Sequence, residues 1–275
     1  MNRLTLQERA QILSLLVEGN SLRSATRITG KSINTVTKLL IDVGVACAMY
    51  QNETLRNLTC KRIQCDEIWS FCYAKEKNVA PEHAGELGYG DVYTWTAIDP
   101  DTKLIAGFLV GRRDSSYARS FIGDLAGRLA NRVQLTTDGH KACLTAVEAS
   151  FGGDIDFAQL VKIYGPMPVQ DQRRYSPAGY TGSEKHIISG KPDIAKVSTS
   201  HVERANLTMR MGMRRFTRLT NGFSKKIHNL ECAVALHFMH YNFGRIHKTL
   251  RVTPAMEAGI AQHVWSLEEI AKLAD

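Results

Sequence analysis

Arg62-Ile63-Gln64-Cys65-Asp66-Glu67-Ile68-Trp69-Ser70-Phe71, Val92-Tyr93-Thr94-Trp95-Thr96-Ala97-Ile98 and Leu104-Ile105-Ala106-Gly107-Phe108-Leu109-Val110 are three runs rich in β-branched and aromatic residues. Such runs predict strands, and Asp99-Pro100-Asp101 predicts a hairpin turn between the last two. Working outward, Ser116 to Leu129 predicts a helix and Val133 to Thr137 a buried strand ending at Asp138-Gly139. Lys141 to Phe151 predicts a second helix, and Phe157 to Tyr164 a further strand. Three antiparallel strands followed by alternating helix and strand predict a mixed α/β sheet with flanking helices. Pro166, Pro168, Pro177 and Pro192, with Gly165, Gly179, Gly182 and Gly190, mark 165–197 as a long irregular insertion. Loops of that length are usually functional or disordered. Helical patterns resume from Thr199 to about Arg218 and from Ser224 to Asn242, the latter with Leu230, Val234 and Phe238 on one face.

Ahead of the first strand the grammar is helical. Thr5-Leu6-Gln7-Glu8 is a capping box, and Leu6, Ala10, Leu13 and Val17 follow at helical spacing until Gly19. Ser21 starts a second helix that Gly30 ends, and Ser32 starts a third bearing Ile33, Val36, Leu39, Leu40 and Val43 up to Gly44. Short helix, glycine turn and helix is the pattern of a helix-turn-helix, and the alternative is a small bundle that docks on a partner or on the rest of the chain. As a recognition helix, the third would expose Asn34, Thr35, Thr37 and Lys38 with Lys31 at its entrance, side chains suited to base edges and phosphates.

The chain has 275 residues, 44% apolar and 23% charged, enough for one large domain or two modest ones, which excludes whole-chain disorder. No continuous apolar run approaches the roughly 18 residues of a spanning helix. Six cysteines without a CxxC pair predict small buried thiols and a reducing cytoplasm, and no zinc is expected, because structural zinc ligands usually come in pairs. Ser198 to Arg251 carries ten Arg and Lys against Glu203 and Glu231, as much excess positive charge as the whole chain, whose net charge is +8. A concentrated basic segment predicts a polyanion partner.

Three acids stand where chemistry could use them: Asp66 in the first strand, Asp138 at a strand end, and Glu203 in the first turns of the basic helix. Hard oxygen ligands from separate elements can hold two Mg²⁺ or Mn²⁺ ions about 3.5–4 Å apart for phosphodiester chemistry. Asn206 and Arg210 share Glu203's helical face. Spacing leaves a second reading open, in which Asp138-Gly139 is a turn, Asp66 or Glu67 a strand-edge charge, and Glu203 an acid favoured by the helix dipole. His140, beside Asp138, is the one histidine whose position suggests the chemistry, and a surface histidine after a turn is the alternative reading. His201-Val202-Glu203-Arg204 with a later Tyr241 imitates tyrosine recombinases, but Tyr241 falls in a helical pattern with Phe238, where an aromatic is more often core.

The strings Asp66-Glu67-Ile68-Trp69-Ser70, Thr137-Asp138-Gly139 and Val202-Glu203-Arg204-Ala205-Asn206-Leu207, with Arg210, Arg214-Arg215-Phe216-Thr217-Arg218 and Phe223-Ser224-Lys225-Lys226, resemble the insertion-sequence-one family of bacterial DDE transposases. The tail from Tyr241-Asn242-Phe243 to Thr253-Pro254-Ala255 is similar to that of many transposases and retroviral-type integrases. The resemblance implies an RNase H-like core with a catalytic and metal-binding triad of Asp66, Asp138 and Glu203 and two Mg²⁺ or Mn²⁺ ions. It also implies cleavage at element ends and 3′-OH strand transfer. The expected organisation is a helix-turn-helix at 1–55, a catalytic domain at 56–222 containing the 165–197 insertion, and a basic helical segment at 223–275. Expected DNA contacts are Lys31, Asn34, Thr35, Lys38, Asn206, Arg210, Arg214, Arg215 and Arg218. The expected partners are double-stranded DNA, as terminal repeats and target, and further copies of the chain, since two element ends must be joined, in a prokaryotic cytoplasm at the nucleoid. An RNase H-like nuclease and a non-catalytic DNA-binding regulator are the alternatives.

Overall fold

The computed structural model describes residues 4–165, 179–217 and 220–275. Helix α1 (Leu6–Val17) starts at the Thr5 capping box, in which Thr5 Oγ1 accepts from the Glu8 amide at 3.2 Å and Glu8 Oε2 accepts from the Thr5 amide at 2.8 Å. Ser21 caps α2 (Leu22–Thr29), and Gly30, at φ +69°, ends it in the left-handed conformation that glycine adopts without strain. Ser32 then caps α3 (Ile33–Thr54).

Helix α3 runs ten residues beyond Gly44, where the sequence pattern predicted its end. Gly44 serves a packing contact here. A Cβ at this position would lie 2.4 Å from Cys232 Cβ, so the bare backbone lets α3 cross α7 (Ile227–Met239) at close range. With 22 residues and a mean hydropathy of 1.3, α3 is long and apolar enough to cross a membrane by length and composition, although no unbroken apolar run of that length exists. Val36, Leu39, Leu40, Val43 and Cys47 on it are buried in the core.

Six strands form one mixed sheet in the order β3-β2-β1-β4-β5-β6: β1 (Arg62–Cys72), β2 (Gly90–Ile98), β3 (Ile105–Gly111), β4 (Gln134–Asp138), β5 (Asp156–Tyr164) and β6 (Tyr180–Ser189). Strand β4 runs parallel to β1 and β5, and the other pairs are antiparallel. The insertion at 165–197 is thus less irregular than its prolines and glycines predicted: β6 within it pairs with β5 from Phe157 to Tyr164, its exposed side chains giving no period-2 signal. Residues 166–178, with Pro166, Pro168 and Pro177, lie outside the described residues.

Side-chain alternation sorts the helices onto two faces. Trp95 and Cys65 point toward α4 (Ser115–Ala126) and α5 (Lys141–Phe151), where Trp95 packs on Phe121. Gln64, Asp66 and Phe108 point the other way, toward α6 (Ser200–Gly212) and α7, where Phe108 packs on Phe238. The helix expected to reach Arg218 stops at Gly212, because Met213 turns extended and buries its side chain, and Arg214–Phe216 form a single tight turn. A π-turn, His240–Gly244, extends α7 and buries Asn242, whose amide both accepts from the Ile105 N–H and donates to the Ile105 carbonyl, at 3.0 Å each. Backbone groups on the open edge of β3 are satisfied in this way. After a short helix α8 (Pro254–Glu257), α9 (Leu267–Lys272) packs on α1, and Arg9 Nη1 donates to Asp275 Oδ1 at 2.8 Å. One continuous cluster of buried apolar side chains runs from Ile12 to Ala271.

Candidate functional site

Pairing between β1 and β4 ends at Gln64 opposite Thr136. Asp66 and Asp138 each lie two residues further on, on the same face, where the parallel strands part. Ligand oxygens of Asp66, Glu67 and Asp138 fall within 4.8 Å of one another in that opening. Across it stands Glu203, on the first turns of α6. Asp66, Asp138 and Glu203 line one cleft of about 640 Å³, with Arg113, His140 and Lys162 beside them.

Each acid is held by named partners. Asn206 Nδ2 donates to Asp66 Oδ2 and the Glu67 amide to Asp66 Oδ1, both at 2.8 Å. Arg113 spans two of the acids, with Nε 3.2 Å from Glu67 Oε2 and Nη2 3.2 Å from Asp138 Oδ2. Lys162 Nζ lies 2.6 Å from Glu203 Oε2, and the Thr199 hydroxyl donates to Glu203 Oε1. The first turn of α6 is oriented by Gln64, whose Oε1 accepts from the His201 and Val202 amides at 2.9 and 3.2 Å, satisfying donors that no side chain of Thr199 caps. Gln64 and Asp66 are two apart on one strand, so the residue that docks α6 and the acid that α6 contacts share a face.

The electrostatics record the crowding. Burial, then the charge of Asp138 and that of Glu203, pushes Asp66 up to about 6. Burial and Asp138 push Glu67 up to about 8 despite Arg113. Carboxylates packed together resist ionising, and a bound cation relieves that penalty. Asn206 Oδ1 is a buried acceptor with no partner among the described residues. An all-oxygen donor set beside an unsatisfied oxygen fits a hard divalent cation.

The structure brings Asp66, Asp138 and Glu203 to one cleft and adds residues that the sequence pattern did not single out. Glu67 reads locally as a strand-edge charge, yet its side chain is just 3% exposed. Arg113, Lys162 and Gln64 act through contacts distant in sequence and carry no local signal. His140 donates its amide to Asp138 Oδ1 at 3.0 Å and stacks on Trp95. Its ring is held below the ordinary histidine range by burial and then by Arg113.

Expected DNA contacts fall into groups. Asn34 and Lys38 are exposed on α3, Lys38 pairing with Asp42 at 2.5 Å, while Lys31 pairs with Glu8 at 2.5 Å and Thr35 with Ser32 at 2.9 Å. Asn206 is buried and turned onto Asp66, which makes it a support for the acid more than a groove contact. Arg210 is half-buried and Arg214 exposed. Arg215 is drawn inward, its Nε donating to Ser224 Oγ at 2.7 Å and its pKa lowered to about 10 by burial. Arg218 lies outside the described residues. All six cysteines are free and buried, and Tyr241 packs against the core. No protein-family model and no curated protein matches the chain.

Proposed function

We propose that the chain is a DDE transposase that cuts DNA at element ends and joins the resulting 3′-OH to target DNA. One observation carries this reading: Asp66 and Asp138, with Glu67, crowd their oxygen donors within 4.8 Å of one another, and Glu203 from α6 lines the same cleft, a set of the kind that metal-assisted phosphoryl transfer needs. The mixed sheet, three antiparallel strands continued by parallel β4 and β5 with helices on both faces, is compatible with an RNase H-like core. Helices α2 and α3, joined at the left-handed Gly30 and exposing Asn34 and Lys38, support a helix-turn-helix reading.

In this reading Asp66, Asp138 and Glu203 hold Mg²⁺ or Mn²⁺, which when bound supplies Lewis acidity for in-line displacement at phosphorus. Asn206 fixes the rotamer of Asp66. Lys162 and Thr199 aim Glu203 into the cleft, and Gln64 sets the first turn of α6 that carries it. Arg113 holds Asp138 at the parting of the strands and offers guanidinium donors to phosphate oxygens.

The test is cleavage and joining on labelled duplexes. Asp138→Asn and Glu203→Gln are expected to keep DNA affinity and abolish Mg²⁺-dependent cutting, and retained activity would reject the triad. Pre-cut ends with a free 3′-OH are expected to be joined to target DNA. Hydrolysis without joining would mark a nuclease, and binding with no metal-dependent cutting would mark a regulator.

A further inference from the structure

A second cavity, of about 510 Å³, opens on the other flank of α6, between the β2–β3 hairpin and the segment that follows the π-turn. Lys103, His201, Arg204, Arg245, His247 and Lys248 line it, and no carboxylate does. Arg204, Arg245 and Lys248 are exposed, and none of them forms an ion pair among the described residues. The neighbouring acids lie outside the lining: Asp101 pairs with Arg62, Asp99 accepts from the Asp101 amide and the Thr102 hydroxyl, and both act on Lys103 from the hairpin. The floor is apolar, built from Ile98, Tyr241 and Pro254, and the exposed Ile246 adds to the lining.

Cations gathered in a cavity that no carboxylate lines repel one another. Lys103 Nζ lies 3.4 Å from His201 Nδ1, and burial holds the Lys103 ammonium below its ordinary value although Asp101 and Asp99 act to raise it. His247 is lowered in the same way by burial, Lys103 and Arg245. An arrangement costly on its own is relieved by an anion, and an apolar floor beneath a cationic rim suits an anion attached to sugar and base.

We propose that this cavity binds phosphates of a DNA strand lying across α6, as a contact site separate from the carboxylate cleft. Residues 201, 204, 205 and 208 of α6 face the cavity while 199 and 203 face the cleft, so a strand crossing the helix meets both. The inference rests on DNA being the substrate, but it concerns binding and needs no chemistry.

The experiment measures binding of a fluorescent single-stranded oligonucleotide to the full chain in EDTA across a salt series. A triple variant, Arg204→Gln with Arg245→Gln and Lys248→Gln, is compared with a charge-matched control, Lys77→Gln with Arg119→Gln and Lys272→Gln, whose three positions are exposed and outside the cavity. At about 0.7 per single-strand phosphate contact, the cavity variant is expected to lower the log–log salt slope by about 2, with at least a tenfold loss of affinity near 0.1 M salt. The control is expected to keep the wild-type slope, and urea midpoints verify that both variants fold. An unchanged slope in the cavity variant, or an equal fall in the control, would overturn the proposal. Titration with deoxyadenosine monophosphate separates the sources of phosphate: micromolar binding lost in the cavity variant would assign the site to free nucleotides and overturn the DNA assignment. Because EDTA silences metal chemistry, a slope that falls as expected stands even if no cleavage is ever detected.

Discussion

Replacing Asp66 by asparagine removes one charge from a crowded carboxylate group and keeps one of the two oxygens that accept from the Asn206 side chain and the Glu67 amide. The Asp66 carboxyl is raised from an ordinary 3.8 to about 6, by burial first and by Asp138 next. At roughly 1.4 kcal/mol per tenfold change in proton affinity, the folded state is penalised by up to about 3 kcal/mol once this group ionises, and solvent in the open cleft brings the expectation to about 1–3 kcal/mol. The sign follows from linkage. Between pH 3.8 and 6 the native state binds more protons than the unfolded chain, so stability falls as pH rises, and the full penalty is present above pH 6. The stability of Asp66→Asn relative to the wild type is therefore expected to be higher by about 1–3 kcal/mol at pH 8 in EDTA than near pH 3.5. Urea denaturation at the two pH values measures this. Millimolar Mg²⁺ or Mn²⁺ is expected to stabilise the wild type and to leave the variant unchanged, since a ligand at a hundred times its dissociation constant adds about 2.7 kcal/mol to the state that binds it. A variant destabilised equally at both pH values would refute the idea that these acids are held together against their repulsion.

Gly44→Ala is expected to destabilise by about 1–3 kcal/mol despite alanine's higher helix propensity, because the new Cβ meets Cys232 backbone atoms as well as its Cβ. Cys232→Ala should not restore the loss, and recovery in the double variant would contradict the close crossing of α3 and α7. Gln64→Ala is expected to cost about 1–2 kcal/mol by releasing the first turn of α6, and to lower kcat more than KM for DNA; an unaltered kcat would leave Gln64 a purely structural role. Asn34→Ala with Lys38→Ala is expected to reduce preference for a terminal repeat over scrambled duplex by about 1–3 kcal/mol per base contact, read by competition at fixed salt. Undiminished preference would move recognition away from α3.

Features set by a few neighbouring residues were legible in the sequence. Thr5, Ser21 and Ser32 cap the helices they announce, Gly30 ends α2, and the bounds of β1 to β5 fall close to the β-rich runs. The grouping of Asp66, Asp138 and Glu203 was implied by the resemblance of their strings, while their spacing alone left turn, strand-edge and helix-dipole roles open. Long-range geometry was not legible. Gly44 reads locally as a stop, and only the approach of α7, far along the chain, turns it into a contact. Glu67 sits beside Asp66, where alternation sends it to the opposite face, and its entry into the cluster depends on the strands parting and on Arg113 reaching over from the end of β3. Lys162 and Gln64 are ordinary strand residues until α6 is laid across the sheet. Arg215 belongs to a basic string that resembles a phosphate-binding surface, yet Ser224 draws it inward.

Helix α3 has its exposed Asn34 and Lys38 at one end and its other half wedged against α7, with no flexible tether between them. At 1.5 Å per residue its 22 residues span about 33 Å. In a chain that reads DNA at the first end and cuts it at the sheet, α3 would act as a measuring stick. The number of base pairs between the sequence read and the bond broken would be fixed by a rigid length, and a one-residue insertion in the middle of α3 would rotate the reading end by about 100° as well as lengthen the span.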